Sequence, residues 1–171
     1  MSTKITAGGA SPAFSWPSVS GASVAPANET GWRLLVVYRG KHCPLCKKYL
    51  AELNGMQDDF ETAGIRVWAL SSDPLDRARS EAEAESWTLP ILAELSEPQM
   101  RELGLYISSP RTPEETDRNF AEPGVFVLNP QGQVQIVDIS NAPFVRPDLK
   151  GLLGGIQFVK TKDYPIRGTV E

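Results

Sequence analysis

The sequence predicts an α/β fold in which a mixed central β-sheet is flanked by helices on both faces. Three observations predict it: a strand-helix-strand unit in the first half of the chain, a hairpin in the second half, and an apolar helix after the hairpin. Crossover helices join parallel strands and hairpins add antiparallel ones, so both kinds of pairing are expected in one sheet. The 171 residues are expected to form a single domain over 1–171.

The strand-helix-strand unit begins with residues 32–38, a short apolar run rich in strand-forming residues. Such a run is typical of a strand that is buried on both faces. Pro44 suits the first position of a helix, and apolar residues follow it with helical spacing as far as Gly64, a helix stop signal. Residues 65–70 form a second strand, parallel to the first, and a charged helix with a solvated face is expected after Pro74.

The hairpin is predicted from residues 124–128 and 134–139, two strand-like runs separated by Asn129-Pro130-Gln131-Gly132. Proline in the second position and glycine in the fourth predict a type I turn between them. Residues 148–160 then carry apolar side chains with the spacing of a helix that lies on the sheet. A break in this helix is expected at Gly154-Gly155.

The remaining segments are less regular. Residues 1–30 are rich in Gly, Ala, Ser and Pro, and we expect them to form an extended, loosely structured lead-in. Residues 89–95 suit a short strand or a loop, residues 97–103 suit a short helix, and residues 107–120 predict a polar surface excursion.

Composition and charge exclude several classes of function. The chain is 41% hydrophobic and 22% charged, with a net charge of −4, and it has no basic run of the kind that binds phosphate, so no nucleic-acid partner is expected. It also shows neither the apolar core of a signal peptide nor an apolar stretch of roughly 20 residues that would span a membrane. We therefore expect a cytoplasmic protein with no membrane partner.

The reactive side chains are concentrated in one short stretch. His42, Cys43 and Cys46 are the only histidine and the only cysteines of the chain. In a reducing cytosol such cysteines are more often catalytic or metal-binding than permanently bridged. Structural zinc needs four ligands, usually from two such pairs, so no metal is expected, and a structural disulfide over so short a loop would add little stability. These observations favour a redox site over both alternatives.

The position of the CxxC motif supports the redox interpretation. If Pro44 is the first helical residue, Cys43 occupies the N-cap, where backbone N–H groups and the positive helix end stabilise a thiolate. Cys46 lies one turn further along and is able to close a disulfide with Cys43. Protonated His42 would assist the thiolate. A CxxC between a buried strand and a helix is a strong indication of a thioredoxin-like redox site.

Pro123 is a second candidate element of this site. Glu122-Pro123-Gly124 precedes the strand 125–128, and a proline, which has no N–H for the ladder, belongs at the start of a strand. A cis Glu122–Pro123 bond would turn backbone groups toward the cysteines, although only about 5–6% of such bonds are cis.

Five motifs along nearly the whole chain follow the order found in a known family. They are Ser11-Pro12-Ala13-Phe14, residues 34–40 followed by His42-Cys43-Pro44-Leu45-Cys46, residues 67–73, residues 89–92 and residues 125–132. Together they resemble the peroxiredoxin-like AhpC/TSA (redoxin) branch of the thioredoxin superfamily. The resemblance implies a thioredoxin-like fold and antioxidant oxidoreductase activity, and its most specific parts are the CPxC and the hairpin motif.

The chain also departs from that family. Peroxiredoxins carry a proline, a threonine or serine and one peroxidatic cysteine, and by this alignment Arg39, Cys43 and Cys46 occupy the three places in turn. Pro123 stands where the family has an arginine and matches the cis-proline of thioredoxins, so the resemblance favours a cis bond there. By analogy with thioredoxins, the attacking sulfur is that of Cys43. By alignment with peroxiredoxins, it is that of Cys46. We favour Cys43 because a helix N-cap is usually the more exposed place.

The function implied by the resemblance is hydroperoxide reduction through a Cys43/Cys46 dithiol–disulfide cycle. A thioredoxin- or glutathione-type reductant would restore the dithiol, no cofactor is needed, and a homodimer is compatible with the family. One alternative is a thiol–disulfide oxidoreductase that acts on protein or small-molecule disulfides. A second alternative is a non-enzymatic redox sensor or interaction domain.

Two supporting residues have alternative interpretations. Arg39 would hold a peroxide or stabilise a thiolate, by analogy with the missing arginine, or it is a surface turn residue. His42 would tune Cys43 or point to solvent.

Overall fold

The computed structural model describes residues 4–171, so the first three residues of the predicted lead-in lie outside the described residues. Its strands are β1 (Trp16–Pro17), β2 (Ser23–Val24), β3 (Trp32–Val37), β4 (Ile65–Leu70), β5 (Ile91–Leu92), β6 (Ile107–Ser108), β7 (Phe120–Ala121), β8 (Gly124–Leu128) and β9 (Val134–Ile139). Its α-helices are α1 (Pro44–Gly55), α2 (Gln57–Thr62), α3 (Leu75–Ala84), α4 (Glu97–Glu102) and α5 (Leu149–Lys162).

The central sheet is mixed, as predicted. Five strands lie in the order β5-β4-β3-β8-β9. β3 pairs parallel to β4 and antiparallel to β8, and β8 pairs antiparallel to β9. Val37 lies opposite Leu70 in the parallel pair, so both strands end at the same edge of the sheet. The CxxC motif follows β3 and therefore lies at this edge, which is where open α/β sheets usually place their sites.

Helices cover both faces of the sheet, which confirms the predicted architecture. On one face, α1, α2, α3 and α5 pack against residues that include Leu34 and Val36 of β3. On the other face, Met100 of α4 and Trp16 of the lead-in pack against residues that include Leu35 of β3. Because successive side chains of a strand point to opposite faces, one apolar run supplies both cores.

Two predicted helices differ in detail. The helix expected to reach Gly64 ends at Gly55, and α2 begins at Gln57 after a bend at Met56, whose N–H bonds the carbonyls of Leu53 and Asn54. The break predicted at Gly154-Gly155 is absent, and α5 runs through both glycines. Burial of Leu152 and Ile156 in the core compensates for the low helix propensity of the two glycines.

The lead-in is more ordered than its composition predicts. β1 and β2 form a small antiparallel ribbon, and Ser18 bridges β5 at Leu92. Arg33 of β3 is buried and donates hydrogen bonds to the carbonyl oxygens of Pro26, Ala27, Gly31 and Asn129. These four acceptors satisfy the buried guanidinium and hold the lead-in against the sheet.

The predicted turn between β8 and β9 is confirmed. The Gly132 N–H donates to the Asn129 carbonyl at 2.9 Å, the hydrogen bond of a four-residue turn. Gly132 has φ +79, which glycine adopts without steric cost. The Asn129 side chain accepts the N–H groups of Gln131 and Gln133 at 3.0 Å each.

Candidate active site

Cys43 is the N-cap of α1, with Pro44 in the first turn, as the sequence predicts. The Cys46 N–H donates to Cys43 Sγ at 3.3 Å. Both cysteines are free thiols, and 3% of Cys43 and 0% of Cys46 is exposed. The structure thus brings the two predicted residues together and leaves Cys43 the slightly more accessible of the two.

The two thiols have opposite acidities. The neighbouring Cys46 side chain is the main cause that lowers the pKa of Cys43 to about 6. Burial opposes this effect, while the Cys46 N–H and the charges of Arg146 and Arg39 add to it. Burial raises the pKa of Cys46 far above its usual value, and Arg146 opposes that rise only in part. The more acidic member of the pair is therefore Cys43, and the less acidic member is Cys46.

The loop before Cys43 is tied to the neighbouring strand end by Asp73. The carboxylate of Asp73 is buried and accepts the Lys41 N–H at 2.8 Å. Gly40 has φ +137, and a Cβ at this position would lie 2.7 Å from Asp73 Oδ1. Only glycine allows the chain to pass this close to the carboxylate, so Gly40 and Asp73 together set the path into the N-cap.

Arg146 contacts Cys46 directly, and the sequence analysis did not identify it. Its Nη2 lies 2.7 Å from Cys46 Sγ. The guanidinium carbon lies 5.0 Å from the centre of the Tyr49 ring, and the Tyr49 hydroxyl donates to the Pro147 carbonyl at 2.7 Å. Its Nε and Nη1 are buried without a hydrogen-bond partner among residues 4–171. The guanidinium is thus held beside the sulfurs with two donors unused.

Replacing Arg146 with methionine is expected to raise the pKa of Cys43 above about 6, because the nearby positive charge stabilises the thiolate. The rate of iodoacetamide alkylation as a function of pH measures this pKa. Arg101→Met, at an exposed position on α4, is the matched control and is expected to leave the alkylation profile unchanged. An unchanged profile in Arg146→Met would contradict the assignment.

Arg39 is neither a free cation nor a surface turn residue. Its Nε and Nη2 donate to the two carboxylate oxygens of Glu122 at 2.8 and 2.7 Å, and Ser108 donates to the same carboxylate at 2.7 Å. Its guanidinium carbon also lies 5.1 Å from the centre of the Phe120 ring. The Arg39 charge still lowers the pKa of Cys43, but it acts from a distance. The surface-turn alternative is wrong, and the sulfur-contacting cation is Arg146.

The ring nitrogens of His42 do not face solvent, and they make no hydrogen bond to Cys43. Its ring packs edge-on against Phe120, with the ring centres 4.6 Å apart. Both ring nitrogens are buried and have no partner in the described part of the chain. Burial lowers the pKa of His42, so the ring is neutral at pH 7. The expected help from a protonated His42 is therefore wrong.

Pro123 precedes β8 as predicted, but the expected cis bond is wrong. No peptide bond in residues 4–171 is cis. Pro123 lines a small crevice together with Tyr49 and Arg146, and its carbonyl accepts the Ser140 N–H at 3.0 Å. The proline thus lies next to the site in the trans form, and its carbonyl accepts a hydrogen bond from the residue that follows β9.

Comparison with known proteins decides the family. A sequence profile described as the AhpC/TSA family matches residues 7–137. The chain belongs to this family. A Mycobacterium tuberculosis protein with a provisional peroxiredoxin name is 30% identical over 105 residues, which cover 61% of this chain and 67% of that protein. This AhpC/TSA protein is therefore a peroxiredoxin-like oxidoreductase.

Solved structures confirm the thioredoxin-like fold. A cysteine-to-serine mutant of peroxiredoxin 6 from Arenicola marina superposes with a TM-score of 0.81 at 19% identity, covering 93% of this chain and 75% of that one. AhpC from Enterococcus faecalis gives a TM-score of 0.75 at 16% identity, covering 95% of this chain and 98% of that one. A second M. tuberculosis protein, peroxidoxin BcpB, superposes with a TM-score of 0.71 at 15% identity, covering 94% of this chain and 99% of that one.

Two kinds of feature are absent from residues 4–171. No helix in this range is both long enough and apolar enough to cross a membrane. No cluster of three or more His, Cys, Asp or Glu side chains in this range is arranged to hold a metal ion.

Proposed function

We propose that this AhpC/TSA protein reduces hydroperoxides through a Cys43/Cys46 dithiol–disulfide cycle. The observation that carries the proposal is the placement of Cys43 at the start of α1, where the backbone N–H of a second free cysteine donates to its sulfur. A pKa of about 6 keeps Cys43 mainly as thiolate at neutral pH, and the thiolate is the nucleophilic form.

The first step oxidises Cys43. The thiolate attacks one peroxide oxygen, the O–O bond breaks, and the sulfur becomes a sulfenic acid while the other oxygen leaves as alkoxide or hydroxide and takes a proton. A cation close to the departing oxygen would stabilise its charge, and Arg146 has two unused donors beside the cysteines.

The second step joins the two sulfurs. Cys46 loses its proton and attacks the Cys43 sulfur, the S–O bond breaks, and water leaves as the disulfide forms. An external dithiol of the thioredoxin or glutathione type then reduces the disulfide by thiol–disulfide exchange. A reducing cytoplasm would supply this dithiol, and a homodimer is compatible with the cycle.

A thiol–disulfide oxidoreductase is the second candidate. One observation favours it: the more acidic cysteine precedes the more buried one in the motif. This order suits attack by Cys43 on an external disulfide and release by Cys46. A redox sensor would use the same disulfide but would turn over slowly with every substrate.

Two assays on the same wild-type sample test the proposal. Peroxide consumption is measured with dithiothreitol as reductant, and reduction of insulin disulfides is measured in parallel. The peroxidase predicts peroxide turnover well above that of free cysteine at the same pH. If the protein reduces insulin efficiently but consumes peroxide no faster than free cysteine does, its function is that of a disulfide oxidoreductase. Slow turnover in both assays would leave the redox sensor as the remaining candidate.

A further inference from the structure

The contact between Arg146 and Cys46 has no role in the cycle described so far. Nη2 of Arg146 donates to Cys46 Sγ at 2.7 Å. This is the only hydrogen bond that the guanidinium makes within residues 4–171, because Nε and Nη1 are buried without a partner. Burying a cation with unpaired donors is costly, and such groups frequently have a chemical role.

No carboxylate neutralises the positive charge of Arg146. None of the ion pairs within residues 4–171 includes this arginine. Arg39, the other arginine whose charge lowers the pKa of Cys43, instead donates to both carboxylate oxygens of Glu122. The uncompensated cation that contacts a sulfur is therefore Arg146.

Packing against α1 fixes the guanidinium in this position. Its carbon lies 5.0 Å from the centre of the Tyr49 ring, which is a cation–π contact. Tyr49 follows Cys46 by three residues in α1, so the two side chains lie on the same side of the helix. The Tyr49 hydroxyl also donates to the carbonyl of Pro147, the residue after Arg146, at 2.7 Å. The helix that carries Cys46 thus also holds the cation that contacts its sulfur.

Cys46 has a chemical requirement that this cation meets. Its sulfur must carry negative charge when it attacks Cys43, because the thiolate is the nucleophilic form. Cys46 is 0% exposed, and burial raises its pKa, whereas Arg146 lowers it. An opposite charge in contact favours the ionised form, and its effect is larger in a buried site than in water.

We propose that Arg146 is a catalytic residue that stabilises the Cys46 sulfur as a thiolate, both when Cys46 attacks Cys43 and when the Cys43–Cys46 disulfide is reduced. The inference rests on the dithiol cycle proposed above. The guanidinium stays protonated throughout, and its Nη2 donates to the sulfur in both directions.

The cation acts on the Cys46 sulfur at two points of the cycle. In the forward step Cys46 gives its proton to solvent, and the thiolate attacks the sulfur of the Cys43 sulfenic acid. The S–O bond breaks and hydroxide leaves and takes a proton from solvent, so the products are the disulfide and water. In the reverse step an external thiolate attacks the Cys43 sulfur, and Cys46 leaves with the electron pair of the S–S bond. The second thiol of the reductant then displaces Cys43 as a thiolate.

The test separates the reaction of Cys46 from that of Cys43. The protein is mixed with one equivalent of dithiodipyridine, a neutral aromatic disulfide, and the released pyridinethione is followed by stopped-flow absorbance. Cys43 forms a mixed disulfide in the first release, and Cys46 displaces the second pyridinethione. The second release does not depend on the ionisation of Cys43, because its sulfur is already in the mixed disulfide. Cys46→Ser gives the first release alone and so identifies it.

Two substitutions of Arg146 differ mainly in charge. Arg146→Met removes the positive charge and Arg146→Lys keeps it, while both retain a long unbranched side chain. Arg167→Met is the matched control, because the Arg167 guanidinium carbon also lies near a tyrosine ring, 5.7 Å from the centre of Tyr164. Arg167 donates to the hydroxyl of that tyrosine instead of to a sulfur. Thermal unfolding of each variant is recorded alongside.

Arg146→Met is expected to slow the second release by about 3- to 30-fold at neutral pH, because an opposite charge in contact lowers the pKa of an acid and the higher nucleophilicity of a more basic thiolate recovers only part of the loss. Arg146→Lys is expected to recover most of the rate, and Arg167→Met to match wild type. Reduction of the disulfide form by dithiothreitol is expected to follow the same order.

Two results would overturn the inference. One is a second release in Arg146→Met that is as fast as in wild type. The other is an equally slow release in Arg146→Met and Arg146→Lys, because the side chain would then act through its packing and not through its charge.

Failure of the inference is separable from failure of the peroxidase proposal. Dimedone trapping in Cys46→Ser after addition of hydrogen peroxide reports the peroxide step alone, and absence of the sulfenic acid would contradict peroxide reduction. The dithiodipyridine assay needs no peroxide, so it still decides the role of Arg146. A wild type that gives the first release without the second would overturn the inference together with the dithiol cycle.

Discussion

Cys43→Ser is expected to abolish peroxide consumption, whereas Cys46→Ser is expected to undergo one oxidation and then stop. Without Cys43 the site loses its more acidic thiol, and burial, the largest cause of the raised pKa of Cys46, still acts on the sulfur that remains. Without Cys46 the Cys43 sulfenic acid forms but has no second sulfur with which to condense.

Single-turnover peroxide consumption with dimedone trapping measures this difference. The rate of the first oxidation in Cys46→Ser is expected to rise as the pH passes through about 6 and then to level off, since only the thiolate reacts. Serine keeps a hydroxyl donor beside Cys43. Cys46→Ala lacks that donor and is expected to shift the profile to higher pH. The double variant Cys43→Ser/Cys46→Ser supplies the background rate. Dimedone labelling of Cys46 in Cys43→Ser, with none in Cys46→Ser, would instead make Cys46 the attacking sulfur.

Glu122→Leu is expected to destabilise the fold by about 3 kcal/mol, the lower end for breaking a buried ion pair. The Arg39 and Glu122 side chains are 19% and 3% exposed, so the substitution leaves a guanidinium only partly hydrated. The pair also connects the loop before Cys43 to the segment before β8. Urea unfolding measures the loss of stability.

A double variant and a surface pair are the controls for this prediction. Arg39→Leu/Glu122→Leu is expected to be more stable than Glu122→Leu alone, because no charge is left uncompensated. Glu29→Leu breaks the exposed pair with Arg66 and is expected to cost no more than about 1 kcal/mol. Equal losses in Glu122→Leu and Glu29→Leu would show that the buried pair contributes nothing beyond a surface contact.

The regular elements were largely predictable from the sequence because their signals are local. The strands 65–70, 124–128 and 134–139 were predicted with the bounds that the structure has. Their apolar runs and turn residues depend on neighbours a few positions away. The N-cap position of Cys43 was predictable for the same reason, since Pro44 directly follows it.

The fine structure of the site was not predictable in the same way. The contact between Arg146 and Cys46 joins residues 100 positions apart, and its only sequence signal was the arginine missing at the Pro123 position. The sequence also did not specify that Arg39 pairs with Glu122, or that the ring nitrogens of His42 are buried.

Local sequence signals specify the α/β class, the order of the elements and the position of the two cysteines at the start of a helix. Capping, periodicity and turn chemistry act over a few residues, so these features are encoded where they occur. Which cation touches a sulfur and how deeply each thiol is buried are fixed only by tertiary packing. Those properties depend on desolvation and on charges brought together from distant parts of the chain, and both arise only when the sheet and helices pack.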